Sequence, residues 1–179
     1  MTRGSGRLAL RPMRSSDLAL VRIWLAEPHV ARWYLSGSTI EQELADLRRC
    51  VTGEEPAHAL MVLEGQREIG WCQWYRCSSY PDHAAGVGAG PEDVGFDYAI
   101  GAPDRVGHGL GVALIGALVA RVREVHLRGA LIADPEAANV ASRRTLEKSG
   151  FTLVDVRPVP SERTDAEMAI YRLPAAAPG

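Results

Sequence analysis

Apolar positions at Leu8 and Leu10 alternate with Ala9, Arg11 and Met13 and end at Pro12, which predicts a first strand closed by a proline. The period then becomes helical. Ser15 or Ser16 can cap a helix whose Leu18, Val21, Ile23, Trp24 and Leu25 form an apolar side, with Pro28 as its stop. Residues 29–34 follow and carry the adjacent aromatics Trp33 and Tyr34. A second helix is expected over about 39–51, opened by Ser38 and Glu41 or Thr39 and Gln42 as a capping box and ended near Gly53. Residues 58–64 and 68–76 read as two strands joined by a hairpin at Gly65 and Gln66.

Regular patterning stops over residues 78–93, a run of glycine, proline and acidic residues that reads as a loop too long to be a mere connection. A strand resumes over 94–101. After it come the alternating glycines Gly107, Gly109 and Gly111 and a long helix with Leu110, Leu114, Leu118, Val122 and Val125 on one face. A short buried strand over 130–133, a helix over 138–148 ending on Gly150, and strands over 151–156 and 167–173 complete the chain. This order mixes one parallel crossover with antiparallel hairpins. The expected fold class is α+β, a three-layer domain with helices on a mixed sheet.

The 179 residues, 46% of them hydrophobic, suit a single compact domain with a real core. The ends, residues 1–7 and 174–179, have nothing to pack and are expected to be flexible. Twenty Lys and Arg against 22 Asp and Glu leave a net charge of −2, so no global positive field is available to hold a nucleic acid. No apolar run approaches the ~20 residues that span a bilayer. The odd cysteine count (Cys50, Cys72 and Cys77) and the absence of a signal peptide point to a cytoplasmic protein. Its five histidines are scattered without metal-ligand spacing, so no metal site is expected.

The glycines sit where a strand gives way to the first turn of a helix, and there unpaired N–H groups and the positive end of the helix dipole point outward. Such a turn can hold a phosphate, with His108 beside it as a further polar contact; a turn that merely starts a helix is the plainer alternative. A Walker-type loop would need Gly-Lys-Ser/Thr where Gly111, Val112 and Ala113 stand. A dinucleotide fingerprint would need a third glycine at Val112, although Asp134 after the next strand could pass for its ribose-binding acid.

The run from Asp104 to Leu114, followed by Asn139 to Phe151 with its Glu147-Lys148-Ser149-Gly150-Phe151 ending, resembles the acetyl-CoA-binding core of the GNAT N-acetyltransferase superfamily. Both blocks stand in the family's order. In its Gln/Arg-x-x-Gly-x-Gly/Ala motif, Val106 takes the first place with Arg105 one residue early, while Gly109 and Gly111 match. The resemblance implies a GNAT-like fold with a splayed parallel strand pair. It implies that Arg105, Val106, Gly107, His108, Gly109, Leu110, Gly111 and Val112 cradle the pyrophosphate of acetyl-CoA. Backbone groups of Tyr98, Ala99 and Ile100 would hold the pantetheine arm, with Asn139 and Ser142 contacting it from the following helix. Where many members carry a tyrosine that protonates the leaving thiolate, this chain has Leu146, so no general acid is named.

On the acceptor side, Asp97 lies inside a strand, where a carboxylate is out of place unless it faces a cleft, and Asp134 ends what should be the neighbouring strand. Two acids on one cleft suit a cationic amine, since carboxylates hold an ammonium and relay its proton. The wider pattern is similar to the aminoglycoside 6'-N-acetyltransferases over most of residues 8–173, in Trp24 to Tyr34, Ile69 to Tyr75, Gly95 to Asp97, Asp134-Pro135 and the two core blocks. That likeness implies that Asp97 and Asp134 bind the amine and act catalytically. Trp33, Tyr34, Gln73 and Asp82 would line the sugar pocket, with Asp165 or Glu167 adding charge. Two tryptophans of the relatives' long loop are here Ala84 and Ala85.

The expected activity is acetyl transfer from acetyl-CoA to the 6'-amine of an aminoglycoside, by direct attack in a ternary complex of a monomer or homodimer. Two alternatives stay open: an acyltransferase acting on a lysine side chain of a siderophore precursor or on a protein N-terminus, and a CoA-binding module without turnover.

Overall fold

The computed structural model describes residues 8–126 and 128–176; of the ends expected to be flexible, 1–7 and 174–179, residues 1–7 and 177–179 lie outside the described residues. Strand β1 (Leu8–Pro12) leads through a short turn to helices α1 (Leu18–Leu25), α2 (Pro28–Tyr34) and α3 (Ile40–Thr52). Pro28 does not end a helix; it begins one. Proline lacks the N–H that a first helical residue cannot pair anyway and its fixed φ suits that position, so residues 28–34 form α2. Thr39 and Gln42 close the capping box of α3, and Gly53, at φ 79°, ends it.

Strands β2 (His58–Glu64) and β3 (Arg67–Arg76) form the expected hairpin, with Gly65 at φ 63° in its turn. Residues 78–93 are not the irregular loop expected. They contain helix α4 (Pro81–Val87), with Pro81 in its first turn and Gly88, left-handed at φ 69°, closing it. Then follow β4 (Val94–Ile100), α5 (Leu110–Val125), β5 (Leu131–Ala133), α6 (Val140–Lys148), β6 (Thr152–Pro158) and β7 (Glu167–Leu173).

The strands form one mixed sheet in the order β1-β2-β3-β4-β5-β7-β6, in which only β4 and β5 run parallel. The main core lies between the sheet and α5 and α6, around Phe96, Leu114, Leu118, Leu146 and Tyr171. A second core joins the opposite face to α1, α2 and α3 through Val21, Trp24, Leu25, Met61 and Trp71, and Val87 of α4 packs with Ile132, Met168 and Ile170 farther along. The apolar faces read from the sequence each lose one member: Ile23 on α1 and Val125 on α5 are exposed.

The parallel pair is short for a visible reason. Asp93, buried, accepts hydrogen bonds from the N–H groups of Gly90 and Ala130, both at 2.8 Å, and pairs with Arg172 at 2.9 Å, which clamps the starts of β4 and β5 to the end of β7. Beyond this clamp only Val94 and Gly95 align with β5, and the rest of β4 diverges from its neighbour. The sheet therefore opens along β4 from Phe96 onward.

Candidate functional site

Peptide groups along a strand face alternate edges. The Val94 N–H donates to Ala130 O at 2.9 Å, so Phe96, Tyr98 and Ile100 turn their peptide groups toward the opening. Ile100 is partly engaged there, because its carbonyl meets His29 Nε2 at 2.9 Å. Ala99 is turned the other way, toward its register partner Trp71 on β3, so the backbone contact expected of it across the opening is not available. Across the gap, Tyr98 ties β4 to α6 through Ser142 Oγ at 2.9 Å, and Asn139 caps α6 by accepting from the Ser142 N–H at 3.1 Å. Leu146 is wholly buried in the main core and presents nothing to the gap.

The turn after β4 leads into the glycine series. Gly107 and Gly109 stand at φ 80° and 73°, conformations that side chains resist, and a Cβ on either would meet open space. Among the described residues no side chain caps α5, so its first N–H groups are open to an external anion. Gly111 faces the other way, where a Cβ would come within 2.9 Å of the Thr145 side chain and push α5 from α6. His108 and Val106 are exposed, while Leu110 is buried and Val112 half-buried. Arg105 does not face this turn; its guanidinium pairs with Glu64 on the β2–β3 hairpin. An extended anion with a neutral arm fits these residues: uncapped N–H groups at one end and an unpaired strand edge at the other.

On the opposite face of the sheet lies a cavity of about 650 Å³, walled by α2, α3, α4, the end of β5 and the β6–β7 connection. It brings together Trp33, Tyr34, Gln73, Asp82, Asp97 and Asp134, all expected from the sequence, and Tyr98, Asn139 and Ser142 reach it from the gap. Trp33 and Tyr34 owe their places to α2, and Tyr34 leans on Trp71 with ring centroids 5.2 Å apart. Asp82 is exposed at the rim. Asp165 and Glu167 do not line the cavity; both are exposed, and Glu162, on the same connection, turns inward instead.

Asp97 and Gln73 are register partners on adjacent strands, and Gln73 Nε2 donates to Asp97 Oδ2 at 2.9 Å. Burial raises the pKa of Asp97, and this donation only partly offsets it. Asp134, with a side chain 7% exposed, is raised further, to about 8, by burial and by the nearby acids Glu162 and Asp97 against the lowering influence of His83. Its Oδ2 is buried without a hydrogen-bond partner, an orphan acceptor at the cavity wall. Tyr75 crosses the neighbouring strand because its register partner is Gly95, where a Cβ would lie 2.5 Å from the phenol ring.

His83 on α4 was not among the expected site residues. Its Nε2 lies 3.2 Å from the Tyr75 hydroxyl and 3.7 Å from Asp134 Oδ1, while Nδ1 lies 3.1 Å from Ser161 Oγ and 3.3 Å from Glu162 Oε1. Burial disfavours its charge, but Glu162, Asp134 and Asp97 prevail and raise its pKa to about 9. Atoms of His83, Asp134 and Glu162 converge within 4.8 Å, near enough for a metal. The ring nevertheless turns one nitrogen to each carboxylate, which is the arrangement of an ion-pair bridge. Little in the sequence points to His83 or Glu162, because their approach depends on α4 and on an irregular connection.

The chain matches the family described as an acetyltransferase (GNAT) domain across residues 14–157. It is 26% identical over 155 residues to an aminoglycoside N(6')-acetyltransferase type 1 of Klebsiella pneumoniae, covering 84% of this chain and 77% of that protein. Its fold is similar to that of the aminoglycoside acetyltransferase AAC(6')-Ib in complex with coenzyme A and kanamycin, with a TM-score of 0.80 at 23% identity over 93% of this chain and 94% of that one. It is also similar to a spermidine N-acetyltransferase chimera from Vibrio cholerae and hSSAT, with a TM-score of 0.71 at 15% identity over 94% and 95% of the two chains.

Proposed function

The chain belongs to the GNAT acetyltransferases, and from that premise we propose that it transfers an acetyl group from acetyl-CoA to the 6'-amine of an aminoglycoside, as an antibiotic-resistance enzyme. The observation that carries this reading is the pair Asp97 and Asp134 on one cavity beside the opening of the sheet, Asp134 with an orphan buried oxygen. A primary ammonium is the group that such a wall lacks. Its N–H would satisfy Asp134 Oδ2, and its charge would offset the cost of the buried carboxylates.

Acetyl-CoA bound along the opening would supply the activated thioester. The N–H groups from Gly107 to Val112 would hold its pyrophosphate at the positive end of α5. The edge of Tyr98 and the Ile100 N–H would align the arm, so that the acetyl group meets an amine already fixed in the cavity. The charge of an ammonium held against Asp97 and Asp134 favours their ionised forms, one of which takes its proton; the freed nitrogen lone pair attacks the thioester carbon, and the C–S bond breaks with CoA leaving as the thiolate. A carboxyl raised to about 8 is a far better match to an ammonium than an ordinary carboxylate, which holds a proton too weakly to remove one. Trp33 and Tyr34 give the sugar rings an amphipathic edge on which to rest.

Thiol release from acetyl-CoA tests this directly, with aminoglycosides that bear or lack a 6'-amine beside free lysine and a basic peptide. Turnover confined to the 6'-amino compounds is the expected result. Turnover with lysine or peptide alone would discard the acceptor assignment and keep acetyl transfer, and CoA binding without turnover on any amine would reduce the protein to a binding module.

A further inference from the structure

Of the basic side chains that line the cavity, Arg49 and Arg163 both pair with Asp46 on α3, whereas His83 lies between Asp134 and Glu162. His83 turns one ring nitrogen to each of two acids, Nδ1 at 3.3 Å from Glu162 Oε1 and Nε2 at 3.7 Å from Asp134 Oδ1, which is ion-pair reach for an imidazolium. The groups facing it come from every wall: Tyr75 from β3, Asp97 from β4, Asp134 after β5, and Ser161 and Glu162 from the β6–β7 connection. Side-chain exposure rises from 7% at Asp134 through 12% at His83 to 33% at Glu162, so the bridge runs from the cavity wall toward solvent. Its backbone is anchored separately, by Arg157, which donates to Gly86 O at 2.9 Å, and by the buried Val87.

Resting on the acceptor reading above, we propose that His83 is a resident cation in a second ammonium subsite between Asp134 and Glu162, and that a polycationic acceptor binds by taking its place. Asp134 serves both subsites. Its unpartnered Oδ2 is free for the amine to be acetylated, while its Oδ1, with Glu162, is occupied by His83 in the free protein. The device solves a problem of the empty site, since the buried Asp134 carboxylate without a counter-ion would carry a heavy desolvation cost. It also discriminates among acceptors. A monoamine uses the first subsite and leaves His83 in place; an acceptor with a second ammonium at the right reach must compete with the imidazolium and then gains both carboxylates.

The test compares wild type with His83→Gln, which keeps a polar side chain and removes the charge. Calorimetry with CoA present measures the affinity of kanamycin, a polycation, and of 6-amino-6-deoxyglucose, a monoamine. At about pH 7 the variant should bind kanamycin about five- to tenfold tighter and the monoamine within about twofold of wild type. The kanamycin gap should close as pH passes about 9, where His83 gives up its proton. Unchanged or weaker kanamycin binding by the variant, a gap that ignores pH, or kanamycin binding by neither protein overturns the proposal. A second readout needs no variant: the ¹⁵N resonances of His83 in the wild type should be those of an imidazolium at about pH 7 and should shift on adding kanamycin but not the monoamine. A neutral ring, or one that ignores kanamycin, also overturns it. Kanamycin binding with the expected His83 response but no acetyl transfer would refute the activity alone.

Discussion

The glycine turn before α5 and the acidic cavity beneath α4 both meet charged ligands in this reading, and they are built from opposite materials. The turn offers main-chain N–H groups and carries its recognition in a conformation: left-handed φ at Gly107 and Gly109 with open space beside each α-carbon. The cavity offers side chains from elements distant in the sequence, Gln73, His83, Asp97, Asp134 and Glu162, and its recognition lies in their shared desolvation and mutual charge. A backbone site depends on a few residues being small. A side-chain site depends on every wall arriving together, so it is the part that can change acceptor while the fold stays constant.

The two regions should fail differently when broken. Gly109→Val forces a β-branched residue to φ 73° and sets a side chain among the open N–H groups. Acetyl-CoA affinity should fall by about a hundredfold or more by calorimetry, since both the turn and the approach to it are lost. Affinity within about twofold of wild type would remove the turn from cofactor binding. Asp97→Asn and Asp134→Asn should do the reverse, each lowering kcat by more than about tenfold while acetyl-CoA affinity holds. Wild-type turnover in both would strip the carboxylates of their role.

The same contrast explains what could be read from the sequence. The glycine turn is local, and the pairing of Gly109 and Gly111 with the Asn139 to Phe151 block announces both the helix start and its partner helix. The strand pattern likewise exposed Asp97 as a charge out of place, and the short apolar run before Asp134 marked the neighbouring strand. What stayed hidden depends on tertiary context. Residues 78–93 look irregular by composition, yet Pro81 and Gly88 are the start and stop of α4, and Pro28 begins a helix where a proline after an apolar run suggests an end. His83 and Glu162 meet only because α4 and the β6–β7 connection fold over one end of the cavity, and no spacing encodes that meeting. Asp165 and Glu167 had the right charge on the right segment, but the connection turns Glu162 inward instead.

The cavity, unlike the turn, should also leave a mark on stability. The raised pKa of Asp134 means that the folded protein keeps a proton which the unfolded chain, with an ordinary carboxyl near 3.8, releases; that contribution fades as pH climbs toward about 8. His83 contributes in the same sense, fully below 6.5 and not at all once pH passes about 9. Thermal unfolding followed by circular dichroism should therefore show Tm falling as pH climbs from about 4 to about 9, with a shallower fall in the double variant His83→Gln, Asp134→Asn. A wild-type profile flat over that range would mean that the pair is not desolvated as its surroundings require.

The smallest effect separates what the glycine turn uses from what merely stands beside it. Arg105 sits one place from the first position of the family motif, and by sequence it belongs with the residues around the pyrophosphate. In the structure its guanidinium reaches back to Glu64, with both side chains partly exposed at 23% and 29%. If the turn holds its anion by main chain, Arg105→Ala should leave the KM for acetyl-CoA within about twofold of wild type, and the lost ion pair should cost about 0–1 kcal/mol in denaturant unfolding. A KM raised more than about tenfold would show that the guanidinium leaves Glu64 for the phosphates when the cofactor binds, and the turn would then owe part of its affinity to a side chain, as the cavity does.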